Sequence, residues 1–120
     1  MLVRVLVVDD EVSLCSCIAD RLRLEGFDVD EACDGFCALV IATEQGASIS
    51  AVVTDVNMPG MDGIEMWERV KPLVSPDCTV VFISGLAQQY LLDGFKFPGE
   101  VLQKPFLFNV LIEKLSAAAR

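Results

Sequence analysis

Short apolar runs alternate strictly with helical segments along this chain, and that alternation restricts the fold more than any other feature. Leu2–Val8 is a near-continuous Val/Leu run, the mark of a strand covered on both faces. Leu14, Ile18 and Leu22 then recur at helical spacing until Gly26. Phe27 and Val29 alternate with Asp28 and Asp30, which predicts a short strand nearer an edge. A helix over Gly35–Glu44 should stop at Gly46, and Ala51–Thr54 reads as a second buried strand. Ile64–Val74 is amphipathic and broken by Pro72 and Pro76, and Thr79–Ser84 is a third buried strand. Leu86–Gly94 is a weak helix, Phe95–Gly99 is irregular, and Glu100–Gln103 is a short strand. Phe108, Leu111, Ile112 and Leu115 give the last helix one apolar face. Such alternation predicts an α/β fold, a single doubly wound parallel sheet of five strands with helices on both faces.

Size and charge narrow the function classes. With 120 residues the chain is expected to form one domain, 1–120. A hydrophobic content of 53% excludes disorder. The longest apolar run, Phe36–Ala42, has seven residues, whereas a membrane helix needs ~20. Met1 leads straight into strand pattern without a charged leader, so a cytoplasmic protein is expected. Nine Lys and Arg against 18 Asp and Glu give a net charge of −9, which argues against direct nucleic-acid binding. The absence of His removes Ser-His and Cys-His nucleophiles. Cys15-x-Cys17 and Cys33-x3-Cys37 lack zinc-site spacing, and the five cysteines are expected to be reduced apolar fillers.

Parallel α/β sheets bind ligands at the carboxyl ends of their strands, and polar residues stand there in this chain. The first strand ends in Asp9-Asp10, the third in Asp55, the fourth in Ser84 and the fifth in Lys104-Pro105. Neighbouring strands lie ~4.8 Å apart, so these ends should converge on one shallow pocket. Crowded carboxylates repel one another unless a cation joins them, and carboxylates plus water suit Mg²⁺. With a lysine and a hydroxyl nearby, the set suits a phosphoryl group. Taken singly, each residue has a plainer reading. Asp-Asp could cap a helix, Asp55 could open an Asx turn, Ser84-Gly85 could be an ordinary turn, and Lys104 a surface lysine.

Taken together, Val7-Val8-Asp9-Asp10-Glu11, Asp55-Val56-Asn57-Met58-Pro59-Gly60-Met61-Asp62-Gly63, Ile83-Ser84-Gly85 and Lys104-Pro105-Phe106 resemble the receiver domain of two-component response regulators. The resemblance covers the whole chain in order. It implies a flavodoxin-like sheet of order 2-1-3-4-5. It further implies that Asp55 is a phosphoacceptor attacking a phosphohistidine on a partner histidine kinase or histidine phosphotransfer domain. Asp9, Asp10, Asp55 and the backbone carbonyl of Asn57 would hold Mg²⁺, for which Mn²⁺ could substitute, with Asp10 the more direct of the first pair. Ser84 and Lys104 would contact phosphoryl oxygens. The output would be a face formed by the fourth helix, fifth strand and fifth helix, acting on an unidentified partner or fused effector.

Three features depart from the family pattern. Val101 stands where an aromatic switch residue is usual, Leu107 where a Ser or Thr cap is usual, and the segment after the fourth helix is irregular. Coupling is therefore expected to run through the backbone of Ser84–Gln88 and repacking of Leu86, Tyr90 and Leu91. The Lys104-Pro105 bond is expected to be cis. Ser84-Gly85 and Leu102–Phe106 resemble receivers fused to hybrid histidine kinases, and the chain could be stand-alone or part of a longer protein. Rival readings fare worse. An EF-hand beginning at Asp55 would need acidic ligands where Pro59 and Met66 stand. A flavin protein would need a phosphate loop after the first strand, where carboxylates stand instead. An aspartate-nucleophile phosphatase would need an acid where Asn57 stands. A degenerate receiver acting only as a binding module would lack site residues that are all present.

Overall fold

The five apolar runs become β1 (Arg4–Val8), β2 (Asp28–Ala32), β3 (Ala51–Asp55), β4 (Thr79–Ser84) and β5 (Glu100–Gln103) in a computed structural model that describes residues 3–118. Leu2, expected to open the first strand, lies outside the described residues. All pairings are parallel and the order is β2-β1-β3-β4-β5, as the resemblance implied. The three strands read as buried on both faces occupy the centre, and the polar, alternating β2 takes one edge. Arg4 pins that edge through bidentate hydrogen bonds to Asp30, 2.7 and 3.1 Å long.

The helices are α1 (Val12–Leu24), α2 (Gly35–Gln45), α3 (Gly63–Val70), α4 (Ala87–Leu92) and α5 (Phe108–Ala118). Because side chains alternate across each strand, the sheet builds two cores. Val5, Val7, Val53, Val81 and Ile83 pack with Ile18, Leu22, Leu111 and Leu115 of α1 and α5. Leu6, Val8, Val52 and Phe82 pack on the other face with Ala38, Met66, Trp67 and Val70 of α2 and α3. Phe82 is fully buried, and its truncation to Ala would cost about 3–5 kcal/mol.

Helix ends differ in detail from the sequence expectation. Gly46 does not stop α2 in a left-handed conformation; the chain tightens into a 3-10 turn, Gly46–Ser48. Pro72 ends α3 in the same way, through a 3-10 turn at Lys71–Leu73. The weak fourth helix has only six residues and no side-chain N-cap. It closes in a Schellman motif, Gly94 N–H donating to Leu91 O and Phe95 N–H to Tyr90 O, for which Gly94 adopts φ +86°. The segment behind it has no regular structure yet is packed: Phe97 lies 5.6 Å from Phe82 and 4.8 Å from Phe95 between ring centroids.

Candidate functional site

The carboxyl ends of β1, β3, β4 and β5 bring Asp9, Asp55, Ser84 and Lys104 to one edge of the sheet. Asp9 and Ser84 are buried, Asp55 is half-buried, and Asp10 is exposed. One carboxylate oxygen from each of Asp9, Asp10 and Asp55 lies within 4.8 Å of the others. Lys104 Nζ sits 3.5 Å from Asp9 Oδ2 and 3.5 Å from Asp55 Oδ2, so one cation serves two carboxylates. Burial pushes the Asp55 carboxyl above its ordinary value and the negative charge of Asp9 adds to the rise, while Lys104 opposes both. Acidic charge is in excess here, and the donor set is oxygen only. These residues fit a hard divalent cation.

Local backbone bonds hold the site. Asp9 N–H donates to Ala32 O of β2, and its Oδ1 accepts from Glu11 N–H at 2.9 Å, leaving Oδ2 for Lys104. This side chain is not the N-cap of α1; Glu11 holds that position without a side-chain cap bond. No hydrogen bond from Asn57 N–H to the Asp55 carboxylate closes an Asx turn, and Val56 N–H donates to Ile83 O across the sheet. Gly63 opens α3 because a Cβ there would lie 2.1 Å from the Asp55 carbonyl oxygen. Lys104 N–H donates to Ser84 O, which ties the ends of β4 and β5. The Lys104-Pro105 bond is cis, as expected.

Asn57, whose backbone carbonyl is the expected ligand, makes two contacts through its side chain. Its Oδ1 accepts from the Ser84 hydroxyl at 3.2 Å, and its Nδ2 donates to the Tyr90 hydroxyl at 3.0 Å. Leu86 and Leu91, grouped with Tyr90 in the expected repacking, are 54% and 51% exposed; Leu86 reaches the site through its backbone N–H, which donates to Ser84 Oγ at 3.0 Å, and Tyr90 through its side-chain hydroxyl. A further contact had no sequence signal. Gln103 Nε2 donates to Gly85 O at 2.6 Å and its Oε1 accepts from Gln88 N–H at 2.7 Å, clamping the β4–α4 loop to β5. The cysteine expectation needs correction, since Cys15 is buried but Cys17 and Cys33 are exposed and fill no core. Among the described residues, no helix is long and apolar enough to cross a membrane.

Comparison with known proteins agrees with this geometry. The chain is 35% identical over 127 residues to the transcriptional regulatory protein TcrA of Mycobacterium tuberculosis, an alignment covering 98% of this chain and 46% of that protein. It is 37% identical over 109 residues to the sensor kinase CckA of Brucella abortus, covering 89% of this chain and 11% of the kinase. The chain thus spans about half the length, or less, of these curated relatives. Its fold matches the solved receiver domain of the hybrid histidine kinase CckA with a TM-score of 0.83 at 32% identity, covering 98% of this chain and 99% of that one. A second solved structure, the response regulator TrrA of Thermotoga maritima in complex with Mg²⁺-BeF, gives a TM-score of 0.81 at 27% identity, covering 98% and 99%. The response regulator receiver domain family matches residues 5–116, from β1 into α5, and this chain belongs to that family.

Proposed function

We propose that this receiver accepts a phosphoryl group on Asp55 from a phosphohistidine and signals its arrival through α4, β5 and α5. The observation that carries the reading is the position of Lys104, 3.5 Å from both Asp9 and Asp55 inside a cluster of three carboxylates. Asp55 Oδ is the nucleophile: its bond to phosphorus forms as the phosphorus–nitrogen bond to the donor imidazole breaks. The reaction draws on the ionised carboxylate, which Lys104 favours against the opposing effects of burial and Asp9. Lys104, already 3.5 Å from Asp55 Oδ2, supplies positive charge to an incoming phosphoryl oxygen, and the Ser84 hydroxyl can leave Asn57 Oδ1 to donate to another. Asp9, Asp10, Asp55 and the Asn57 carbonyl would hold Mg²⁺, with Mn²⁺ a substitute, and the bound cation would offset the charge that gathers as two anions meet.

The absence of His in the chain accords with a donor on another protein, a histidine kinase or a histidine phosphotransfer domain. Each molecule is labelled once and loses the label slowly, which sets it apart from a turnover enzyme. The output acts on an unidentified partner or a fused effector, without direct nucleic-acid or membrane contact, in the cytoplasm. The test is intact-mass measurement after incubation with Mg²⁺ and acetyl phosphate. The wild-type chain should gain one phosphoryl group and Asp55→Asn none. Equal labelling of the two would overturn the assignment.

A further inference from the structure

Outside the carboxylate cluster, the described residues hold one other close group of metal-ligating side chains: Cys33, Asp34 and Cys37. Cys33 follows β2 and is exposed, while Cys37 lies in the first turn of α2 and is part-buried. Their sulfurs are 3.5 Å apart. Asp34 is the N-cap of α2, its Oδ1 accepting from Cys37 N–H at 2.8 Å. A donor atom of each residue lies within 4.8 Å of the others. Both thiols line a cleft of 190 Å³ between α1 and α2 that also takes in the buried Cys15 and, on its walls, Asp9 and Glu31.

The geometry points to a second cation site, distinct from the carboxylate cluster, in which Cys33 and Cys37 chelate a thiophilic divalent ion of the Zn²⁺ or Cd²⁺ class, with Asp34 a third donor. Tetrahedral zinc with sulfur bonds of ~2.3 Å spaces two thiolates ~3.8 Å apart, so the resting separation is already close to that of a chelated pair. A disulfide would require ~2.05 Å, a much larger displacement. The Cys37 thiol is pushed up to about 11, first by its contact with Cys33 and then by Asp34 and burial. The cation must displace the Cys37 proton, so binding should strengthen as pH rises. Sulfur donors also select against Mg²⁺, so the two sites would sort cations by softness. On binding, each thiol forms a metal–sulfur bond and gives its proton to solvent, two protons per ion.

The test is titration of the reduced chain with Cd²⁺ in a thiol-free phosphine reductant, with Mg²⁺ in excess to occupy the carboxylates. A sulfur-to-cadmium charge-transfer absorption should saturate at one equivalent, release two protons, and be displaced by Zn²⁺. Cys33→Ser and Cys37→Ser should each abolish it, whereas Cys17→Ser and Cys78→Ser should leave it unchanged. Asp34→Asn, which preserves the helix cap, should weaken binding by about tenfold. Absence of a saturable signal in the wild type, or its survival in either Cys33→Ser or Cys37→Ser, would overturn the proposal. The readout uses no phosphorylation, and Asp55→Asn should bind Cd²⁺ like the wild type. Failure here is therefore separate from failure of the phosphoacceptor reading.

Discussion

The hydroxyl of Tyr90 accepts a 3.0 Å hydrogen bond from Asn57, and the same Asn57 accepts one from Ser84 at 3.2 Å. A three-residue chain thus leads from the Ser84 hydroxyl on β4, through the β3–α3 loop, to the middle of α4. Val101 is too small to take the aromatic role usual at its position, but Tyr90, with Phe95 and Phe97 against its ring, stands where it can sense the same serine. In the proposed phosphorylated state, Ser84 would turn to a phosphoryl oxygen, Asn57 would lose that donor, and its hold on Tyr90 would change.

Tyr90→Phe keeps the ring packing and deletes the contact with Asn57. Because the bond is exposed, its loss should cost no more than about 1 kcal/mol of stability. The chemical-shift response of α4 to beryllofluoride should nevertheless be attenuated, while the response around Asp55 is retained. An undiminished α4 response would show that the coupling bypasses Tyr90.

Amide hydrogen exchange should locate the switching region. α4 is six residues long, lacks a side-chain cap, and exposes Leu86, Leu91 and Leu92, which puts it at the low end of local stability. Beryllofluoride with Mg²⁺ should therefore change exchange most within Gly85–Gly99, with Val101 keeping its rotamer. Changes concentrated in α1 and α2 would contradict this.

Stability in metal-free buffer should depend on the ionisation of Asp55. Its carboxyl is raised in the folded chain, so across the interval from the ordinary Asp value up to the raised one the folded state binds more protons than the unfolded state. Stability therefore falls as pH rises through that interval, and the cost is fully present above it. Asp55→Asn should raise the melting temperature at neutral pH, with the gain shrinking as pH falls through that interval and gone below the ordinary Asp value. A variant less stable than wild type at neutral pH would mean that the pairing with Lys104 outweighs burial and repulsion.

Asp10→Ala separates metal binding from folding. Asp10 is exposed and its loss relieves carboxylate repulsion, so the metal-free variant should melt at the wild-type temperature or slightly above. Adding Mg²⁺ at ten times its dissociation constant should stabilise the wild type by about 1.4 kcal/mol and the variant by much less. Thermal melts with and without Mg²⁺ decide the matter, and a large metal-free loss would reassign Asp10 to a structural role.

The sequence by itself determined the sheet, its five strands, and the gathering of Asp9, Asp10, Asp55, Ser84 and Lys104. The physical reason is that a parallel sheet sends every strand's carboxyl end to one edge, so residues that close the apolar runs must meet there. Tertiary structure alone decided which side chains pair across loops: Asn57 with Tyr90, Gln103 with Gly85 and Gln88, and Cys33 with Cys37. Asn57 and Tyr90 are 33 residues apart, and Gln103 reaches across 15 and 18, so no local periodicity marks them. Their meeting depends on the path of the irregular loops and on how far the short α4 tilts against β5, which hydrophobic pattern does not encode. The cysteines show the same limit at close range. Spacing alone put Cys33 and Cys37 one helical turn apart, but only the entry of the chain into α2, with Asp34 as its cap, turned both sulfurs into one cleft.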